Sequence, residues 1–288
     1  AISWMDEGKD VALATVVGTW GSSPRPVGSQ LAIDDTGSFV GSVSGGCIEG
    51  SVIGEALATI SDGENRLLDF GVSNEQAWEV GLACGGDVRI LVERTKEKET
   101  LNRLINERPT ATVTNLTTGE RSYVTPTNVS GNLELTTEML ENAHSSLQHD
   151  RSKIYQSEDD EIFIQVFNPA LRCAIIGAVH ISQALIPMAQ IAGFDVTVID
   201  PRGSFATSTR FPNVKISEEW PDDALQKFNA DSRTAIVTLT HDPKLDDPAL
   251  EVALKTDAFY IGSLGSRRTH ASRLERLTLS GFNEKDFT

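Results

Sequence analysis

Apolar residues near the start of the chain form short strand-like runs followed by one helix-like run. Residues 11–17 are apolar enough to predict a strand. Residues 39–43 predict another strand, which ends in a Ser-Gly-Gly turn at 44–46. From residue 48 to residue 58 the apolar positions recur at helical spacing, so we expect a helix that begins at Cys47. The pattern therefore predicts a strand, a glycine turn and a helix in immediate succession.

The same kind of pattern continues through the middle of the chain. Further predicted elements are strands at 31–33, 67–70 and 87–93, helices at 96–108 and 136–147, and hairpins at 111–125 and 153–167. Apolar and polar residues alternate in the hairpins, and this region carries no motif typical of chemistry. We expect a domain boundary at Asn168-Pro169, because the periodicity of the apolar residues changes there.

From Cys173 onward, buried strands alternate with helices. The predicted strands are at 173–177, 195–200, 235–240 and 258–261, and the first is followed by a helix at 181–192 with a kink at Pro187. This alternation is typical of a parallel sheet. The predicted fold class is therefore α/β, with an N-terminal α+β domain at 1–168 that includes the middle hairpins. A C-terminal Rossmann-like parallel-sheet domain follows at 169–288.

Composition and charge exclude several classes of partner. A hydrophobic fraction of 39% suits a globular protein, and no apolar run is long enough to cross a bilayer, so we expect no membrane partner. The net charge of −16 argues against nucleic acid, whose partners present basic surfaces. Three widely spaced cysteines do not form a disulfide framework, which favours a reducing, cytoplasmic location. The start at Ala1, without methionine, is typical of a trimmed chain.

Two cysteines stand beside glycine pairs. Cys47 follows Gly45 and Gly46 at the predicted helix start, where free backbone N–H groups favour an anion and stabilise a thiolate. Cys84 precedes Gly85 and Gly86 in a second turn, and glycine lets a ligand approach the backbone closely. The alternative is that both are tight turns with small core residues. Cys173 begins a buried strand, and we expect it to be inert.

The first turn of the C-terminal half resembles a dinucleotide-binding fingerprint but departs from it. Gly177 ends the first strand, His180 opens the next helix, and the acid Asp200 follows about 20 positions after the glycine. In dinucleotide-binding proteins an acid at this spacing bonds a ribose hydroxyl. However, Val179 occupies the place of the second glycine, and its side chain would block the close approach of a pyrophosphate. The sequence therefore makes NAD(P) binding doubtful while still predicting the fold.

Loops after the later strands carry further polar residues, which we expect at the carboxyl edge of the sheet. Gly265, Ser266, Arg267 and Arg268 could cradle a phosphate, although a solvated helix start is the alternative. A single histidine such as His241 more often has a structural hydrogen-bonding role than a catalytic one.

Three of these segments resemble the signature blocks of the XdhC/CoxI family. They read GSSPRPVG at 21–28, GSVSGGCIE at 41–49 and CGG at 84–86. The resemblance implies an accessory protein that binds molybdenum cofactor (molybdopterin), supports its sulfuration and delivers it to a xanthine dehydrogenase-type molybdenum hydroxylase. It implies a cofactor chaperone more than a catalyst. The implied partners are that hydroxylase and a cysteine desulfurase-type sulfur donor, and a homodimer is a candidate assembly.

The resemblance also implies which residues bind the cofactor. They are Gly21, Ser22, Ser23, Arg25, Gly45, Gly46, Cys47, Glu49, Cys84, Gly85, Gly86, Gly177, His180, Asp200, Arg202, His241, Asp242, Gly265, Ser266, Arg267 and Arg268. Cys47 and Cys84 are the candidate contacts to molybdenum or its sulfur. The family usually has glycine where this chain has Val179. Family members also continue past the position of Thr288, so we expect the native chain to extend further.

Two other functions are consistent with parts of the sequence. An NAD(P)-dependent oxidoreductase is favoured by Asp200 and opposed by Val179, and it leaves the N-terminal half unexplained. A zinc or other metal-binding module using Cys47 and Cys84 lacks the paired ligand spacing of known sites. No catalytic residue is predicted.

Overall fold

The computed structural model describes residues 1–21, 23–46, 48–72, 86–95, 97–157 and 160–287. The chain divides into two units, Ala1–Pro169 and Ala170–Thr288. The first contains two antiparallel sheets with helices, and the second contains one parallel sheet with helices. This confirms the predicted fold class. Among the described residues, no helix combines the length and apolar character that crossing a membrane requires.

The first sheet of the N-terminal unit follows a short helix and packs against a longer one. The elements are α1 (Ile2–Asp6), β1 (Val11–Gly21), β2 (Gln30–Asp34), β3 (Phe39–Gly41), α2 (Glu49–Asp62), β4 (Arg66–Val72) and β5 (Gly86–Thr95), with strand order β3-β2-β1-β5-β4. Val52 and Ala56 of α2 pack on Ala14, Val16 and Ile90 of the sheet, and all five side chains are buried. The helical spacing of α2 and the alternation of β1 and β5 thus meet in one core.

Two predicted boundaries in this region are wrong by a few residues. The strand predicted at 39–43 ends at Gly41. The helix begins at Glu49, with Ile48 as its N-cap, rather than at Cys47. Both differences have one cause, because the residues between strand and helix fold around the Glu49 side chain.

The second sheet holds the middle hairpins. The elements are α3 (Lys98–Asn106), β6 (Thr110–Asn115), β7 (Arg121–Val124), β8 (Val129–Gly131), α4 (Thr137–Gln148), β9 (Lys153–Ser157) and β10 (Asp160–Phe167), with strand order β8-β7-β6-β10-β9. Arg89 of the first sheet forms a bidentate ion pair with Glu161 of β10, with its two terminal guanidinium nitrogens 2.7 and 3.0 Å from the two carboxylate oxygens. Val17, Leu91 and Phe163 add apolar contact between the two sheets.

The C-terminal unit is a parallel sheet covered on both faces. The elements are β11 (Arg172–Ile176), α5 (His180–Ile191), β12 (Asp195–Ile199), β13 (Lys215–Ser217), α6 (Pro221–Phe228), β14 (Thr234–Thr238), α7 (Pro243–Ala253), β15 (Tyr260–Ser263), α8 (Arg267–Leu279) and a final 3-10 turn (Glu284–Phe287). Strand order is β13-β12-β11-β14-β15, so it reverses between β11 and β14. In such sheets, ligands bind beyond the carboxyl ends of the strands at this reversal.

Candidate functional site

Glycine blocks that are distant in sequence meet at one end of the first sheet. Gly21, the last residue of β1, lies directly opposite Gly86, the first residue of β5. Pro24, in the loop after β1, contacts Gly45, since a Cβ atom on Gly45 would lie 3.6 Å from the Cβ of Pro24. The described parts of all three blocks therefore converge. Ser22, Cys47, Cys84 and Gly85 lie outside the described residues.

The turn before α2 is built around the carboxylate of Glu49. Its Oε1 accepts hydrogen bonds from the Ser42 hydroxyl at 2.9 Å and from the backbone N–H groups of Val43 and Ser44 at 3.3 and 2.9 Å. Its Oε2 accepts from the Ser44 hydroxyl at 2.5 Å and from the Gly46 N–H at 2.8 Å. One buried side chain thus satisfies five donors of the turn, and it fixes the path of the backbone there.

These hydrogen bonds also keep Glu49 ionised. Burial by itself would raise the pKa of this carboxyl, but hydrogen bonds from the hydroxyl and N–H of Ser44 and from the Ser42 hydroxyl outweigh it and lower the pKa to about 2. Because both oxygens are occupied by the turn, the geometry makes Glu49 a positioning residue for Gly45 and Gly46. Among the described residues, the charge of this carboxylate is stabilised by hydrogen-bond donors of its own loop and not by a cation.

Hydrogen bonds hold the backbone of the loop after β1 at Arg25 and at Gly28. Gly28 has φ +92°, and a Cβ there would lie 2.8 Å from the Oγ of Ser152. The Gln165 side chain donates to the Gly28 carbonyl at 3.1 Å. The Ser23 hydroxyl donates to the Arg25 carbonyl at 2.9 Å, while the Arg25 side chain is exposed and forms no ion pair within the described ranges. The loop thus presents one uncompensated cation on a fixed backbone.

A cleft of about 890 Å³ opens beside this end of the sheet. Its lining includes Trp20 at the end of β1, Gly71 near the end of β4 and Asp87 near the start of β5. Residues 150–154, which lead into β9 of the second sheet, form part of the same lining. None of the cleft residues was predicted as a site residue.

In the C-terminal unit, the first turn requires its glycine. Gly177 has φ +111°, and a Cβ there would lie 2.7 Å from Cγ2 of Thr240. The Ser182 hydroxyl donates to the Gly177 carbonyl at 2.5 Å. Val179 is the N-cap of α5 and packs against the apolar cluster on that face of the sheet, and His180 is exposed at the first position of α5. The valine is therefore accommodated as a packing residue.

Asp200, the acid of the dinucleotide-binding fingerprint, is hydrogen-bonded to other groups of the protein. Asp200 is fully buried and accepts the Ala178 N–H at 2.8 Å. Arg202 binds the same carboxylate through its side chain at 2.9 and 2.7 Å and through its backbone N–H at 2.9 Å. Burial would raise the pKa of Asp200, but the bonds from Arg202 and Ala178 outweigh it and lower the pKa. The group that would bond a ribose is thus already satisfied.

The remaining predicted residues follow the ends of later strands. Asp242 caps α7 by accepting the Lys244 N–H at 3.0 Å, and the preceding His241 is exposed with φ +60°. Ser266 caps α8 by accepting the Thr269 N–H at 3.2 Å. The predicted residues of this unit are Gly177, His180, Asp200, Arg202, His241, Asp242, Gly265, Ser266, Arg267 and Arg268. All follow β11, β12, β14 or β15, so they lie along one edge of the sheet.

Two of these residues remain available for an anion. Arg267 and Arg268, at the first two positions of α8, are both exposed, and neither forms an ion pair in the described part of the chain. Behind them Arg273 is buried and donates to the Leu264 carbonyl at 3.0 Å. It lies 3.9 Å from buried Asp246, whose pKa is raised by burial. The buried pair supports the loop that carries the exposed arginines.

We expect no saturable binding of NAD or NADH when calorimetry is carried out at millimolar ligand. Val179 stands where the fingerprint has the glycine that lets the backbone approach a pyrophosphate, and Arg202 occupies the carboxylate that a ribose needs. Val179→Gly separates the two causes. A gain of binding in this variant would assign the block to the valine, and no gain would assign it to the Asp200–Arg202 pair. Tight binding by the unmodified chain would contradict the prediction.

Family models match two separate parts of the chain. The model of the XdhC and CoxI family matches residues 4–71, and the model of the XdhC Rossmann domain matches residues 173–288. The chain is 26% identical over 295 residues to the "Molybdenum cofactor insertion chaperone PaoD" of Escherichia coli K12, covering 100% of this chain and 77% of that protein. It is 26% identical over 289 residues to a probable xanthine dehydrogenase subunit of Bacillus subtilis 168, covering 96% and 84%.

A solved structure has the same fold. The crystal structure of a xanthine dehydrogenase from Bacillus halodurans matches with a TM-score of 0.77 at 22% identity, over 95% of this chain and 84% of that one. At this level of identity the match concerns the fold alone. With family models matching both its N-terminal block and its Rossmann domain, the chain belongs to the XdhC and CoxI family.

Proposed function

We propose that the protein binds molybdenum cofactor, supports its sulfuration and delivers it to a xanthine dehydrogenase-type hydroxylase. The observation that carries this proposal is the convergence of three glycine blocks at one end of the first sheet. A relative that aligns with the whole chain is named as a molybdenum cofactor insertion chaperone. Gly46 is exposed, its φ of +120° favours glycine, and nothing lies within 4 Å of the place where a side chain would begin, so a ligand could approach the backbone closely there.

The N-terminal blocks supply the chemistry that suits this cargo. The Glu49-centred turn holds Gly45 and Gly46 in a fixed shape, and Arg25 adds a cation nearby in the loop that contacts Gly45. We assign the contact with molybdenum or its sulfur to the thiolates of Cys47 and Cys84, since thiolates are soft ligands. Each cysteine adjoins a glycine pair in the sequence. A cysteine desulfurase-type donor would supply the sulfur.

The C-terminal unit, considered by itself, presents residues that suit a phosphate. Molybdopterin carries a phosphate, and arginines at a helix start bind phosphate through charge and forked hydrogen bonds. Arg267 and Arg268 have these properties, and neither is engaged by a described carboxylate. The alternative function, an NAD(P)-dependent oxidoreductase, has less support because Val179 and the Asp200–Arg202 pair both oppose dinucleotide binding.

Single cysteine substitutions test the proposed function. Purified Cys47→Ala and Cys84→Ala variants should retain about tenfold less cofactor than the parent, the scale on which metal sites respond to loss of a supporting group. They should also activate an apo-hydroxylase poorly while keeping the thermal midpoint of the parent. Bound molybdenum and pterin would be measured after reconstitution. If both variants activate the hydroxylase like the parent, the two thiols are packing residues.

Cys173→Ala is the matched control for this series. Cys173 is 5% exposed, and burial raises the pKa of its thiol to about 11, so it stays protonated and reacts slowly with alkylating reagents. Its replacement should leave cofactor retention unchanged and affect only packing in β11.

A further inference from the structure

An aromatic ring and a carboxylate from neighbouring strands line the same cleft. Trp20 in β1 lies directly opposite Asp87 in β5, and Asp87 in turn lies opposite Gly71 in β4. Residues directly opposite each other in antiparallel strands project to the same face of the sheet. Trp20, Asp87 and Gly71 therefore form a row across three adjacent strands, on the face that lines the cleft.

Glycine keeps this row open. A Cβ atom on Gly71 would lie 2.8 Å from Oδ1 of Asp87, so any other residue would displace the carboxylate. Gly18 precedes this row along β1, opposite Arg89, and it also lines the cleft. Glycines thus form part of the lining beside Trp20 and Asp87, and Arg151 and Ser152 belong to the same lining.

Both side chains are exposed in the part of the chain that the structure describes. Trp20 is 79% exposed, an unusual state for a large apolar ring. Asp87 is exposed and makes no ion pair or side-chain hydrogen bond within the described ranges, in contrast to neighbouring Asp69, which pairs with Arg89 at 2.9 Å. Arg151, in the same lining, is also exposed and has no carboxylate partner among the described residues. An exposed indole and an exposed carboxylate in one cleft point to an aromatic ligand with hydrogen-bond donors.

We propose that this cleft binds a 2-amino-4-oxopyrimidine ring, with the Asp87 carboxylate accepting from the ring N3–H and 2-amino group and the Trp20 indole stacked on its face. The two donors are parallel and spaced to match the two oxygens of one carboxylate. This identification rests on the proposed function, under which the ring is the pterin of molybdenum cofactor. Guanine presents the same edge, so it is the alternative source that the experiment must separate. Arg151 supplies positive charge for an anionic substituent of the ring.

The experiment compares two ring systems of equal shape. The full chain is titrated with pterin-6-carboxylate and with lumazine-6-carboxylate, in which an oxygen replaces the 2-amino donor, and binding is followed by fluorescence. The parent should bind the pterin at least about tenfold more tightly, because a hydrogen bond to a charged group is at stake. Asp87→Asn should bind the pterin about tenfold more weakly than the parent does. It should also lose the preference for the pterin over the lumazine. Trp20→Ala should weaken the binding of both ligands by a similar factor, so the preference for the pterin should remain.

Asp35→Asn is the control, since it removes one exposed carboxylate of the same unit without touching the cleft. It should bind both ligands like the parent, and thermal midpoints of all variants should agree. Equal affinity of the parent for pterin and lumazine would overturn the proposal, and so would a preference for guanosine monophosphate over the pterin. Unchanged binding by Asp87→Asn would also overturn it.

Loading with molybdenum cofactor separates this inference from the proposed function. If the parent retains cofactor and Asp87→Asn retains it equally, the assignment of the cleft fails and the proposed function stands. If the parent retains none, the proposed function itself fails. Retention by the parent with loss in Asp87→Asn supports both.

Discussion

Glu49→Gln is expected to lower the free energy of unfolding of the N-terminal unit by about 3 kcal/mol at pH 7. The folded environment lowers the pKa of Glu49 from its ordinary value near 4.5 to about 2, and one pKa unit corresponds to about 1.4 kcal/mol. Glutamine has the same shape, but its NH₂ group would face N–H and O–H donors that now point at a carboxylate oxygen. The turn that carries Gly45 and Gly46 would lose its organising charge.

The effect of Glu49 should depend on pH in a defined direction. Because the folded pKa lies below the unfolded one, the stabilisation is complete above about pH 5–6. It is lost as the pH falls from about 4.5 toward 2. The stability difference between parent and Glu49→Gln should therefore narrow by about 1 kcal/mol between pH 7 and pH 4. Urea unfolding at the two pH values measures this difference.

Glu55→Gln is the matched control on the same helix. Glu55 is partly exposed and pairs with Arg66 at 3.1 Å, and such surface pairs contribute about 0–1 kcal/mol. This variant should unfold nearly like the parent at both pH values. If Glu49→Gln also unfolds like the parent, then the hydrogen bonds to its carboxylate do not stabilise the turn.

The stretch around Glu49 shows how far the sequence can be interpreted. Apolar spacing correctly predicted a strand, a glycine turn and a helix, because these signals are local. It placed the helix start at Cys47, whereas the helix begins at Glu49. The side chain of the first helical residue turns back to bind Ser42, Ser44 and Gly46. Hydrophobic periodicity contains no information about such a polar contact. The expectation of a helix-stabilised thiolate falls on Cys47, which lies outside the described residues.

The cleft was missed for a different reason. Trp20 and Asp87 each adjoin a glycine block in the sequence, yet they are more than sixty positions apart. Only the pairing of β1 with β5 places them opposite each other. The exposure of Trp20 depends on tertiary packing, which the local sequence does not contain. A tryptophan directly before a glycine block and an acid directly after one were signals that could have prompted the idea. Register itself is a non-local property.

The Rossmann unit lies between these two cases. Alternating strands and helices predicted the parallel sheet, and the spacing from Gly177 correctly placed Asp200 after β12. The ion pair between Asp200 and Arg202, which is only two residues further along the chain, was not predicted. In sequence an arginine near this acid is compatible with several roles, including contact with a ligand phosphate. The structure uses it to neutralise a buried charge.

Asp200→Asn is accordingly expected to destabilise the C-terminal unit by about 3 kcal/mol. Removing one partner of a fully buried ion pair costs about 3–5 kcal/mol. Here Asp200 is buried but 36% of the Arg202 side chain is exposed, and asparagine keeps one acceptor oxygen, so we expect a loss at the lower end of that range. The fully buried carboxylate joins the turn after β11, through the Ala178 N–H, to the loop after β12, through Arg202. The substitution should therefore loosen both loops of the sheet edge, which hydrogen exchange of the Ala178 and Arg202 amides would report.

Asp195→Asn makes the same chemical change in the same unit at a partly exposed site. Asp195 begins β12 and pairs with Lys215 at 2.6 Å, with 45% of the Asp195 side chain exposed. This control should cost no more than about 0.5 kcal/mol. Because the pKa of Asp200 is lowered in the folded protein, its contribution should be complete at neutral pH and should fall as the pH drops below its ordinary value near 3.8. Equal urea midpoints for Asp200→Asn and Asp195→Asn at pH 7 would show that the Asp200–Arg202 pair does not hold the sheet edge together, leaving the acid available to a ligand.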